Sequence, residues 1–179
     1  MIETKIVAKL LFYFFPSTSF QKKKKRIFAF CYRDTASEIR CVSFSALGEW
    51  IQSDPEELFT DQYAKYIGWM LSDLDAEVRV TCLTVLTELY QREDTDNIQN
   101  FTLRFRDRIV EMSHDVDANV AAVAIELCKK FATEDILKEE QVKEICELST
   151  EDNPAIRSHT GPFIQQFIQQ QMKKTKGKH

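Results

Sequence analysis

Four stretches of this chain carry the same apolar stripe at the same phase. Ile39, Val78, Val120 and Ile156 open it, and seven residues on stand Ala46, Val85, Leu127 and Phe163. Eight residues on stand Leu47, Leu86, Cys128 and Ile164, and eleven on stand Trp50, Leu89, Phe131 and Phe167. Offsets of 0, 7, 8 and 11 return to one side of a helix with 3.6 residues per turn. A strand, whose side chains alternate with period two, does not produce them. The four openings are 39, 42 and 36 residues apart, so one amphipathic helix is written four times. Five residues before each opening stands an acid: Asp34, Asp73, Asp115 and Glu151. One residue after stands Arg40, Arg79, Ala121 or Arg157.

A helix with a single apolar stripe has to bury it against a neighbour, so each copy calls for an antiparallel partner. Phe59, Tyr63, Tyr66 and Met70 supply one such stripe, and Ile98, Phe101, Phe105, Ile109 and Met112 a second. Val142, Ile145 and Leu148 make a weaker third. Asp54-Pro55-Glu56-Glu57 reads as a helix start, with a capping acid and proline at the first helical position, and Asn153-Pro154 repeats that pair. Helices are expected near 35–52, 56–71, 75–91, 96–112, 117–132, 137–148 and 154–171, with a shorter one near 24–32. A period near 40 residues with one helix pair per period is the pattern of HEAT-like repeats. The expected fold is all-α, a HEAT-like α-solenoid of antiparallel helix pairs with about three to four repeats. The repeated acids are expected to cap the second helix of each pair, and the arginines to bridge to the neighbouring turn.

Charge divides the chain. Residues 1–26 carry seven basic side chains and one acid, and residues 173–179 add four lysines. Residues 27–172 carry 13 basic side chains against 27 acids, a net of −14. We therefore expect a basic, partly apolar N-terminal segment outside the fold (1–26), a repeat domain over 27–171 and a basic tail over 172–179. So acidic a body lacks the positive footprint that phosphate contact requires, which favours protein partners. The alternative is a nucleic-acid-contacting scaffold using the basic termini, chiefly Lys22, Lys23, Lys24, Lys25 and Arg26. That run reads equally as a nuclear import signal or as a solvated charged stretch. Ile6–Phe15 is too short an apolar stretch to span a bilayer, and no small-residue cleavage pattern follows it. No membrane role is expected. The five cysteines include no CxxC pair and several fall on apolar stripes, as reduced core thiols do.

No nucleophile elbow, phosphate-binding loop, dinucleotide turn or HExxH occurs. His114, beside Asp115 and Asp117, is read as a solvated turn residue rather than a metal ligand. No enzyme activity, cofactor or metal is expected. What stands out is an aromatic residue off the core face. With Phe59, Tyr63 and Met70 centring the buried stripe, Trp69 lies roughly 120° away and Tyr66 between the two faces. Asp61, Lys65 and Trp69 follow one another at i, i+4, i+8. Arg104 also stands off its helix's apolar stripe, and stacked repeats would put it beside Trp69 and Tyr66. Exposed Trp, Tyr and Arg together have the composition of a binding hot spot.

The residues Tyr32-Arg33-Asp34, Glu38-Ile39-Arg40, Gly48-x-Trp50 and Asp61-x-Tyr63-x-Lys65-Tyr66-Ile67-Gly68-Trp69 form a distinctive series. With Asp75-x-Glu77-Val78-Arg79-x-x-Cys82 and Phe101-Thr102-x-Arg104-Phe105, it resembles the stromalin conservative domain of cohesin SA/STAG-type subunits. The likeness is dense over 27–112 and continues at repeat level to about 170. Where the family has a basic or polar pair before Tyr32, this chain has Phe30 and Cys31. The resemblance implies a nuclear, chromosomal protein of sister-chromatid cohesion that binds the kleisin subunit of cohesin. It also implies a surface for regulators carrying a Phe/Tyr-x-Phe motif, such as shugoshin-type protectors and release factors. The matching positions here are Asp61, Lys65, Tyr66, Trp69 and Arg104. Family subunits are several times longer, so the chain reads as a fragment, a truncated paralogue or the product of a faulty gene model, and DNA contact is implied for the full-length subunit.

Overall fold

The structure, a computed structural model, describes residues 27–53, 61–90 and 96–176. The basic run Lys22–Arg26, the expected helix start at Asp54–Glu57 and Phe59 lie outside these residues. Every regular element among the described residues is helical. After a short helical stretch at 27–31 come α1 (Ser37–Ser53), α2 (Asp61–Met70), α3 (Ala76–Leu89), α4 (Asp96–Glu111), α5 (Ala118–Thr133), α6 (Glu139–Glu147) and α7 (Pro154–Lys176). Short 3₁₀ turns at Met112–His114 and Leu148–Thr150 close α4 and α6. The chain forms two compact units, one through Asn97 and one from Ile98.

In the first unit α1 packs along α3, with α2 against α3. Ile39, Ala46, Leu47 and Trp50 of α1 are buried, as are Val78, Val85, Leu86 and Leu89 of α3. The two helices approach closely at Gly48. A Cβ there would stand 2.8 and 2.9 Å from the two methyl groups of Val85, so only a residue without a side chain fits. On α2 the buried face is Tyr63, Ala64 and Ile67, continued by Leu71 just past its end, while Tyr66 and Met70 are half-buried. The stripe expected over Tyr63, Tyr66 and Met70 is thus rotated toward Ile67.

In the second unit α5 is the most deeply placed helix and packs on α7. Val120, Leu127, Cys128 and Phe131 are all fully buried. Phe101, Ile109 and Met112 from α4 and its closing turn are buried, with Val142, Ile145 and Leu148 from the α6 side. Of the fourth stripe only Phe163 is fully buried; Ile156, Ile164 and Phe167 are half-buried. The helix runs past the expected end at 171 to Lys176, because nothing after Pro162 breaks it and the Gln-rich stretch favours helix. Its residues Gln166 and Gln170 donate to the carbonyls of Lys129 (3.2 Å) and Thr133 (2.8 Å). Lys174 pairs with the Asp135 carboxylate. The Gln170 contact satisfies a carbonyl that the end of α5 leaves without a helical partner. Asp135 itself adopts φ 57°, and the Ile136 N–H closes onto the Phe131 carbonyl at 3.0 Å, a Schellman ending built without glycine.

The repeated acids and arginines do related but distinct jobs. Asp34, Asp73 and Asp115 each accept from the N–H two residues on, at 2.9 to 3.0 Å, and so shape the turn. The caps proper come two residues later. Asp75 accepts from the Glu77 N–H, and Asp117 accepts from the N–H groups of Asn119 and Val120. The expectation that the first acid caps the helix is therefore corrected by two positions. Each repeat arginine first binds its own turn. Arg40 reaches the carbonyls of Asp34 and Thr35, Arg79 those of Asp73 and Leu74, and Arg157 those of Glu151 and Asp152. Arg40 also makes the expected bridge, donating from Nε (2.8 Å) and Nη2 (2.7 Å) to the Asp73 carboxylate. A bidentate, largely shielded pair of this kind contributes on the order of 1.5–3 kcal/mol.

Candidate protein-binding surface

The sequence places Phe28 and Tyr32 four residues apart, on one face of the first helical stretch. Phe28 is 1% exposed and forms the inner end of an aromatic chain. Its ring stacks on Tyr32 at 5.4 Å and meets Phe44 edge-on at 5.5 Å. Tyr66 comes from α2 to lie 5.6 Å from Phe28 and 4.7 Å from Tyr32. Trp69, three residues on, stands edge-on to Tyr66 at 5.5 Å and is 44% exposed. A row of rings thus runs from the core to solvent, and each inner ring restricts the next.

Lys65 completes the surface. Its Nζ lies 5.2 Å from the Tyr66 ring centre and 5.6 Å from that of Trp69. A cation over two rings at such distances holds its long side chain in place, at about 0.5–1 kcal/mol per contact. The Arg33 guanidinium sits in the same way 5.0 Å over Tyr32. The result is a preordered aromatic step with a fixed ammonium beside it. Such a surface can stack an incoming aromatic side chain and donate hydrogen bonds to a carbonyl or carboxylate next to it.

Of the five positions singled out from sequence, the structure brings Lys65, Tyr66 and Trp69 together. Asp61 is the first residue of α2, and its side chain lies outside the described residues. Arg104 is exposed on α4 in the second unit, its guanidinium 5.3 Å over Phe105. Phe28, Tyr32 and Arg33 also belong to this surface, although helical spacing within α2 does not point to them; the i, i+4 spacing of Phe28 and Tyr32 is the signal the sequence offers. Phe30, at the position where the chain departs from the family pattern, is 79% exposed, and Cys31 is half-buried.

The remaining reactive groups are accounted for by packing. All five cysteines are free thiols. Burial pushes Cys82 and Cys128 well above the usual thiol range, and burial likewise raises Cys31, Cys41 and Cys146, so none is a ready thiolate. His114 pairs with Glu144 at 3.2 Å rather than with its neighbouring aspartates, and His159 with Glu126 at 3.2 Å. Among the described residues no three His, Cys, Asp or Glu side chains converge as metal ligands, and no helix is long and apolar enough to cross a membrane.

Residues 33–106 match the family profile of the stromalin conservative domain, a span that contains Lys65, Tyr66, Trp69 and Arg104. The chain carries a stromalin conservative domain. Over 140 residues it is 32% identical to cohesin subunit psc3 of Schizosaccharomyces pombe, covering 77% of this chain and 15% of that protein. Over 102 residues it is 42% identical to cohesin subunit SA-3 of Homo sapiens, covering 56% of this chain and 8% of that one. Among solved structures it is similar to cohesin subunit Scc3 from Z. rouxii, with TM-score 0.73 and 26% identity, covering 87% of this chain and 18% of that chain. A designed armadillo repeat protein in complex with the peptide (KR)4 shares the helical-repeat fold at TM-score 0.63 and 13% identity. The chain thus spans about a tenth of the length of the curated cohesin subunits it matches.

Proposed function

We propose that this stromalin chain acts on chromosomes in the nucleus as a non-catalytic, protein-binding part of a cohesin subunit in sister-chromatid cohesion. Its ligands are regulators bearing a Phe/Tyr-x-Phe motif, of the shugoshin or release-factor type, together with the kleisin subunit. One observation carries the reading: Trp69 is held half in solvent by Tyr66, with Lys65 seated over both rings. The motif's aromatic side chain stacks on Trp69 and Tyr66, while Lys65 meets carbonyl or acidic groups of the same ligand. The relatives' names support the cohesin assignment, since every cited curated relative is a cohesin subunit.

The test is titration calorimetry of the full chain with a Phe-x-Phe peptide and its Ala-x-Ala counterpart. Trp69→Ala should cost about 2 kcal/mol or more of binding, as truncation of a central aromatic does, without changing helix content by circular dichroism. Lys65→Glu should weaken binding as well. Equal binding of both peptides, or Trp69→Ala binding like the parent chain, would remove this reading.

The charge of the termini supports a second reading, DNA contact through Lys22–Arg26 and the C-terminal lysines. It requires DNA affinity that falls steeply with salt and vanishes when both ends are trimmed. Affinity indifferent to trimming rejects it.

A further inference from the structure

The chain itself carries the motif assigned above to the ligands of the Trp69 surface. Phe12-Tyr13-Phe14 and Tyr13-Phe14-Phe15 overlap in one run of four aromatic residues, and Phe28-Ala29-Phe30 is a third triplet of the same form. The third is spent on the fold, because Phe28 is 1% exposed and closes the aromatic row on its inner side. The run at 12–15 belongs to the segment 1–26, outside the described residues. Four adjacent aromatic side chains are unfavourable in water and call for an apolar receptor. Trp69, half in solvent and backed by Tyr66, is a receptor of that kind.

Chain length permits the contact. Residues 16–27 separate the run from Phe28. An extended stretch of that length reaches about 40 Å. Trp69 stands only two ring contacts from Phe28, at 5.6 and 5.5 Å through Tyr66. So short a tether holds a motif near its receptor at an effective concentration on the order of millimolar. Charge favours the contact too, since the segment 1–26 carries seven basic side chains and one acid against the net −14 of residues 27–172. The same body charge opposes the other receptor for an aromatic, basic segment, an anionic bilayer. The run contains no acid, so it offers Lys65 only carbonyl and hydroxyl oxygens. A separate ligand with an acid beside its motif offers a stronger, charge-assisted hydrogen bond and can displace it.

We infer that the aromatic run at 12–15 occupies the Trp69 surface of its own chain and competes there with outside ligands, as a built-in, displaceable inhibitor. This inference rests on the proposed reading of that surface as a Phe/Tyr-x-Phe receptor. With an effective concentration about tenfold above the dissociation constant of the internal contact, an outside ligand binds roughly tenfold more weakly than it would to the open surface.

The probe is a fluorescein-labelled Phe-x-Phe peptide, its binding to the full chain and to two double variants read by fluorescence anisotropy. Phe14→Ser with Phe15→Ser removes the closing Phe of both triplets. Phe12→Ser with Tyr13→Ser removes their opening residues. Each variant should bind the peptide roughly tenfold more tightly than the parent. Acrylamide should quench tryptophan emission more in the variants than in the parent, because Trp69 is uncovered while Trp50 stays buried. If one variant disturbs helix content, the other decides. Peptide binding to neither the parent nor the variants would end the receptor reading, and this inference with it. Peptide bound equally by the parent and both variants overturns this inference and leaves the receptor reading standing. Self-association of the parent that both variants lose would place the run on a second copy. Capture by phosphatidylserine vesicles that both variants lose, with peptide affinity unchanged, would place it on lipid. Either result also overturns the inference.

Discussion

At the scale of single residues, Gly48 shows how a missing side chain sets a helix–helix contact. Helix propensity alone favours alanine there by about 1 kcal/mol. Packing opposes it, because both Val85 methyl groups stand closer than 3 Å to where the Cβ would be. A branched side chain on a buried helix cannot swing away, so overpacking of about 1–3 kcal/mol should outweigh the propensity gain. Gly48→Ala is therefore expected to lower the urea midpoint. Combined with Val85→Ala it should cost less than the two changes summed, by about 1 kcal/mol, because the second change makes room for the first. Strict additivity in that cycle would show that α1 and α3 can separate without penalty. The Gly48-x-Trp50 motif was legible in the sequence, but its cause was not, because Val85 lies 37 positions away.

At the scale of elements, the turns ahead of α3 and α5 are built alike. The first Asp accepts from the N–H two residues on, and the second Asp caps the helix. Asp117 accepts two otherwise orphaned N–H groups, at 2.9 and 3.2 Å, and so carries more of the α5 start than its spacing suggests. Asp117→Ala should lower unfolding stability by about 1 kcal/mol in urea titrations, and Asp117→Asn should recover most of it. An alanine variant as stable as the parent would mean that α5 is held by burial alone. Helix α7 is continuous through Pro162, which cannot donate to the Ser158 carbonyl. In the turn before it, the Ser158 hydroxyl donates to the Ala155 carbonyl at 2.7 Å and the Thr160 hydroxyl to that of Ile156 at 2.9 Å.

At the scale of the whole molecule, stability should depend on carboxylates held below their usual range. A hydrogen bond from Ser37, with the Glu77 N–H behind it, lowers Asp75. Arg106 chiefly lowers Asp107. At Glu126 burial acts upward, but Lys129 and His159 together outweigh it. A carboxyl whose folded value lies below its unfolded value of about 4 stabilises the protein above that pH, and the contribution is lost as pH falls through the folded value. Self-repulsion of the acidic body acts the other way, since protonation relieves it. The specific pairs are expected to win, so the melting temperature should drop as pH goes from about 5 toward 3. Replacing both Asp107 by Asn and Glu126 by Gln should flatten that drop. A melting temperature that rises on acidification would show that repulsion dominates.

The repeated stripe by itself determined that this chain is helical and that its helices occur in pairs. A face that recurs every 3.6 residues has one regular solution, and a helix with one apolar side is stable only against another. It also placed Trp69 outside the core, since an angle of roughly 120° survives any reasonable rotation of the helix. What only the tertiary structure decided is how each helix is turned about its axis. That rotation made Ile67 rather than Tyr66 the centre of the buried face of α2. It also set Phe28 and Tyr32 behind Tyr66. These outcomes depend on contacts between residues far apart in the chain, which leave no mark in local spacing.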